Sequence, residues 1–170
     1  MSPVSVAGRP LLRLFIAGTS PRSSRTVEAV RHLRDAHLPA YDAPMLLREL
    51  ALFDEWFLGR HLGVTLSDEE RAGWDAVQAH LVGAMLAQPQ VLVHRDFMLR
   101  NLMPVEGGVA VLDFQDAVRG PIAYDIACLL RDAFHSWPDA QADAWLARYH
   151  ARARDAGLPV PDHAQFVRDA

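Results

Sequence analysis

Lysine is missing from this 170-residue sequence: all 17 of its basic side chains are arginine. Without lysine there is no G-x-x-x-x-G-K-[ST] phosphate loop, no Schiff-base nucleophile and no lysine to clamp phosphates. Cysteine is nearly missing too. Cys128 stands alone in the apolar stretch "IACLL", which rules out a disulfide within the chain. A reducing, cytoplasmic setting is therefore expected, with the thiol acting as a small buried hydrophobe. No apolar run reaches the roughly 18 residues of a membrane-spanning helix. Charge of one sign is scarce: the net charge is −4 and the pI about 6.0. So weak a field holds neither nucleic acid nor an anionic membrane. Acidic residues are absent from the first 25 positions, a bias shared with targeting segments. Arg13 interrupts the apolar stretch there and no small-residue cleavage pattern follows, so residues 1–26 read as an atypical, disordered head.

What is present reads as one soluble domain, since 51% apolar composition over this length supplies a single core. Val27, Val30, Leu33 and Leu38 predict a short helix before Pro39. Asp42 has the character of an N-cap with Pro44 in the first turn, opening a long helix to Gly63. Its stripe of Leu46, Leu50, Phe53, Phe57 and His61 is assigned to the core. Ser67 and Glu70 form a capping box for a second helix, stopped by Pro89, with Trp74, Val77, Leu81 and Met85 as its buried face.

The period then shortens. Residues 91–93 and 108–114 are predicted as strands of a small sheet, with "LMPV" between them and Gly107–Gly108 as the turn. Pro121 is expected to open a third helix, and a fourth should end at Gly157 as its C-cap. A last segment capped by Asp162 stops before a second turn can pack.

Chemistry concentrates around "VLVHRDFMLRN" and "VLDFQD", where Asp96, Asn101 and Asp113 follow or end apolar strand candidates. Side chains at strand ends converge on one edge of a sheet. A carboxylate and a carboxamide, completed by waters and substrate phosphates, suit magnesium, which favours hard oxygen ligands in octahedral array. Asn101 and Asp113 fit that work. Asp96, five residues before the asparagine, then faces the acceptor, where a carboxylate takes a hydroxyl proton as the oxygen attacks a γ-phosphoryl group. Singly, each residue has an ordinary explanation as a loop or turn residue, and His94 could pack under the sheet. Together, H-R-D-x-x-x-x-N after one strand and Asp-Phe after another match the catalytic-loop and metal-loop signature of kinases.

The segments "HRDFMLRNLM", "VLDFQDAVRGPIAYDIACLLRDAF" and "LPAYDAPMLLRELALFDEWFLGRHLG" resemble the aminoglycoside-phosphotransferase-like kinases, in particular their bacterial branch that phosphorylates cell-wall amino sugars at the anomeric hydroxyl. The resemblance runs from about Leu38 to the C-terminus. It implies ATP and Mg²⁺ as cofactors, Asp96 as catalytic base, Asn101 and Asp113 as metal ligands, and Asp125 in "YDIA" as a brace for the catalytic loop. His94 and Asp116 count as supporting residues. Arg100 is expected to offset charge on the transferring phosphoryl group. A protein kinase is disfavoured: Gln115 and Asp116 stand where Asp-Phe-Gly needs glycine, and no Ala-Pro-Glu follows.

The fold implied is α+β, a protein-kinase-like C-terminal lobe, mostly helical, with a small β-hairpin sheet carrying the catalytic loop. Residues 27–170 are expected to form that lobe in truncated form. The nucleotide-binding N-lobe, with its lysine, is expected to be lacking. Two alternatives remain at this stage: a phosphotransferase for aminoglycosides or other small alcohols, and a silent lobe acting as a binding module that self-associates through its exposed lobe interface.

Overall fold

The computed structural model describes residues 4–6, 9–12, 38–105 and 108–170. Apart from Leu38, the helix expected over residues 27–38 lies outside them. Within the expected head, Val4–Val6 (β1) and Arg9–Leu12 (β2) pair antiparallel, and the rest of that head lies outside the described residues.

The first described helix, α1, spans Ala43–Leu52, started as the sequence predicts by the Asp42 side chain accepting from the Met45 amide at 3.0 Å. It does not continue as α-helix to Gly63. Phe53–His61 winds as a nine-residue π-helix, closed by Leu62 N–H donating to the Phe57 carbonyl at 3.0 Å. Helix α2, Asp68–Ala87, begins with the expected Ser67/Glu70 capping box.

Both helices bury less than their patterns imply. On the first stripe Leu46 is buried and Leu50 half-buried, but Phe53, Phe57 and His61 are exposed and stack on one another. On α2, Val82 is the buried residue, while Val77 and Leu81 are exposed and Trp74 and Met85 half-buried. Amphipathic spacing defines an apolar face but not whether anything covers it.

The remaining strands form two separate antiparallel pairs rather than one sheet. Gln90–Val93 (β3) pairs with Val118–Pro121 (β6), and Leu102–Val105 (β4) with Gly108–Val111 (β5). Pro121 therefore closes a strand instead of opening a helix; at a strand end its missing N–H costs no ladder bond. Helix α3 starts later, at Tyr124, and runs only to Leu130. Helix α4, Asp139–Asp155, ends as predicted at Gly157, whose φ of 79° is the left-handed conformation that glycine adopts freely. Helix α5, His163–Asp169, is capped by Asp162 and does pack: Phe166 is completely buried.

Two apolar clusters result. Tyr41, Leu46, Val82, Val93 and Val118 bind α1 and α2 to the β3–β6 pair; Ile122, Ile126, Leu130, Leu146 and Phe166 join α3, α4 and α5. Gly120 permits the first, because a Cβ there would stand 3.0 Å from the Tyr41 ring. Among the described residues no helix is long and apolar enough to cross a membrane.

Candidate active site

The predicted residues gather where the two strand pairs meet. β3 ends at Val93, directly before His94, Arg95 and Asp96; a single 3₁₀ turn, Leu99–Asn101, then leads into β4. The loop is tied from within. Met98 N–H donates to the Asp96 carbonyl at 2.9 Å, Asn101 N–H to the Met98 carbonyl at 2.9 Å, and the Asn101 carboxamide to the Asp96 carbonyl at 2.8 Å. With its Nδ2 so anchored, Asn101 keeps Oδ1 as a free acceptor. The half-buried Asp96 carboxylate makes no hydrogen bond to the described residues, which leaves both its oxygens able to take a proton.

The second strand pair brings Asp113 to this loop. The Leu112 amide donates to the Asn101 carbonyl at 2.8 Å, so the chain reaches Asp113 one residue beyond a bond to Asn101. His94 makes the second tie: its ring Nε2, 2.8 Å from the Leu112 carbonyl, must carry the proton to donate there. His94 is buried. Asp113 is exposed, and its Oδ1 accepts from Gln115 Nε2 at 2.6 Å. Arg95 and Asp113 both hold left-handed backbone, with φ of 76° and 64°. That conformation costs a non-glycine residue on the order of 1–3 kcal/mol and concentrates at functional sites.

Asp125 supplies the compensation at Arg95. From the first turn of α3 its carboxylate accepts the His94 amide at 2.8 Å and the Arg95 amide at 3.1 Å. Burial raises its pKa; the two N–H groups work the other way without cancelling that rise. Asp116 contributes through its backbone rather than its exposed carboxylate, its carbonyl lying 3.5 Å from the Arg95 guanidinium. Arg100 is exposed on the 3₁₀ turn with its guanidinium 5.2 Å from the Phe134 ring.

Three residues that matter here escape the sequence motif: Glu49, Tyr41 and Cys128. Glu49 pairs with Arg95 and accepts from the Tyr41 hydroxyl; Cys128 donates to the Arg95 carbonyl at 3.7 Å. The available signal for Glu49 was a carboxylate three residues after the buried Leu46 on the inward side of α1. Burial, then the nearby Asp125 and Asp96 carboxylates, push the Cys128 thiol up to about 11. Because the folded value lies above the ordinary 9.0, this group's contribution to stability is full below pH 9 and lost as pH rises to about 11. Urea unfolding is therefore expected to show wild type losing up to about 2 kcal/mol more than Cys128→Ala between pH 8.5 and 11. Parallel pH profiles for the two proteins would refute the assignment.

The donor set suits one kind of cation. Among the described residues no three His, Cys, Asp or Glu side chains converge closely enough to cage a metal. One free carboxamide oxygen and one exposed carboxylate instead match magnesium, which keeps several waters and binds jointly with substrate phosphates.

A carboxylate without a hydrogen-bond partner among the described residues on a braced loop, with a carboxamide and a second carboxylate at the adjoining strand ends, is a layout compatible with phosphoryl transfer. Residues 10–160 match the phosphotransferase enzyme family, and the chain belongs to that family. It is similar to proteins named N-acetylmuramate/N-acetylglucosamine kinase. Identity is 54% with that of Pseudomonas putida over 78% of this chain and 38% of the relative. It is 53% with that of Pseudomonas aeruginosa over 73% and 37%, and 48% with that of Neisseria meningitidis serogroup B over 80% and 41%. The chain thus spans about two fifths of these relatives.

Proposed function

We propose that residues 27–170 are the C-terminal lobe of an ATP-dependent kinase that phosphorylates the anomeric hydroxyl of N-acetylmuramate or N-acetylglucosamine. The supporting observation is the bond from the Asn101 carboxamide to the Asp96 carbonyl, which sets base and metal ligand in one turn. The names of the relatives supply the acceptor. In this reading Asp96 accepts the proton of the sugar hydroxyl, and Asn101 Oδ1 and the Asp113 carboxylate hold Mg²⁺. Magnesium, when bound, neutralises phosphate charge. Asp125, His94 and the Asp116 carbonyl keep the loop in place. In this reading the nucleotide clamp belongs to an N-lobe that this sequence does not contain, which the missing lysine and the two-fifths span support. The reaction belongs in a reducing, ATP-containing compartment, the cytoplasm. Phe53, Trp56, Phe57 and Leu62 give the same chain an apolar face suited to self-association.

Calorimetric titration with Mg-ATP and then N-acetylmuramate tests the reading. Heat for either ligand supports it, and heat for neither leaves a silent binding module. Heat with an aminoglycoside in place of the amino sugar points to the antibiotic-modifying alternative. In the complete enzyme, with the proposed N-lobe present, Arg100→Ala is expected to lower kcat about tenfold through lost charge stabilisation, read in an ADP-release assay; unchanged kcat removes Arg100 from the mechanism.

A further inference from the structure

Arg95 stands immediately before the proposed base in a conformation, φ 76°, that arginine leaves readily. Its amide and carbonyl are held by Asp125 and Cys128 from α3. Its guanidinium is held from the opposite side, by Glu49 of α1, with the Tyr41 ring 5.5 Å away. Glu49 is the one carboxylate paired with Arg95 among the described residues. Its second oxygen accepts from the Tyr41 hydroxyl, which also lies 3.2 Å from that of Tyr124. The pair is largely shielded, with side chains 24% and 32% exposed. The Arg95 charge is correspondingly secure: burial opposes it, but the adjacent carboxylate outweighs burial and raises its pKa.

We infer that Glu49 is a positioning residue for the catalytic loop: by gripping the Arg95 side chain it maintains the left-handed turn that presents Asp96 to the acceptor. The inference rests on Asp96 being the base. Glu49 has one competing role, docking α1 onto the sheet through Tyr41, and the two roles separate when position 95 needs no grip. Glycine adopts φ 76° without steric cost, so in Arg95→Gly there is no side chain for Glu49 to hold and no strain to resist.

The test uses the full chain as wild type, Glu49→Gln, Arg95→Gly, the double variant and Tyr41→Phe. Each is read by the rate at which a thiol reagent modifies Cys128, whose thiol donates to the Arg95 carbonyl, and, in the kinase completed by the proposed N-lobe, by kcat and KM. Glu49→Gln is expected to lower kcat about tenfold with KM for ATP unchanged, and to raise the Cys128 rate about tenfold. Added to Arg95→Gly, the same substitution should change neither. Tyr41→Phe, which removes the docking bond and keeps the ion pair, should leave the Cys128 rate within about twofold of wild type. Equal effects of Glu49→Gln in both backgrounds, or a tenfold faster Cys128 reaction in Tyr41→Phe, would overturn the inference. Absence of turnover in the completed wild-type kinase counts against the kinase reading alone, since the thiol rates still decide what Glu49 holds.

Discussion

In the proposed kinase, completed by its N-lobe, Asp96→Asn is expected to reduce kcat for amino-sugar phosphorylation by about 10²–10⁴-fold, the usual worth of a positioned general base. The substitution preserves shape, and the Asp96 links that shape the loop run through its backbone carbonyl, which accepts from Met98 N–H and Asn101 Nδ2. Those bonds persist in asparagine, so the unfolding temperature should stay within a few degrees of wild type. What disappears is the basic oxygen that receives the proton. Because a carboxamide still fills the site, KM for the sugar should move much less than kcat, the signature of an interaction made in the transition state. Steady-state kinetics beside a thermal melt checks both halves. A variant that keeps half the wild-type kcat would remove Asp96 from the chemistry and, with it, the kinase reading of the loop.

Asp125→Ala should act on the fold instead. Its carboxylate satisfies the amides of His94 and Arg95, two consecutive donors at the point where the backbone turns left-handed. Charge-assisted bonds of this kind contribute about 1.5–3 kcal/mol each, and truncation leaves the donors unpaired. Burial already raises the Asp125 pKa, so part of that gain is spent on keeping a carboxylate out of water and is recovered when the residue is removed. The net loss expected is about 2–4 kcal/mol, or roughly 5–12 °C in Tm for a domain of this size. Hydrogen exchange adds a local reading: the amides of His94 and Arg95 should lose protection before those of α4. A loss under about 0.5 kcal/mol, the range of ordinary surface substitutions, would show that the loop holds itself.

Local chemistry made part of this architecture legible. Asp42, Ser67 with Glu70, Asp162 and Gly157 mark helix ends because a cap is a contact across two or three residues, and all four act as read. The loop motif was legible for the same reason: Asp96 and Asn101 sit five residues apart and bond to each other. Pro121 was misread because proline suits both the first turn of a helix and the end of a strand. The deciding partner, Gln90, lies 31 positions earlier and across a loop, beyond any local pattern. The Phe53, Phe57 and His61 stripe exists as predicted, yet of the described aromatic rings outside it only Trp74 packs against it, 5.1 Å from Phe53. Periodicity reports the stripe and is blind to the cover.

By itself the sequence pointed to the reaction class, through which side-chain oxygens exist and how far apart the chain holds them, and it excluded a lysine of this chain from any role. Only the tertiary structure decided how the loop is held. Glu49 meets Arg95 across 46 positions, and Asp125 meets His94 across 31. The physical reason is reach: caps and motifs are closed by a few backbone angles, whereas a half-buried ion pair and a braced turn form only after separate helices have packed against the β3–β6 strands.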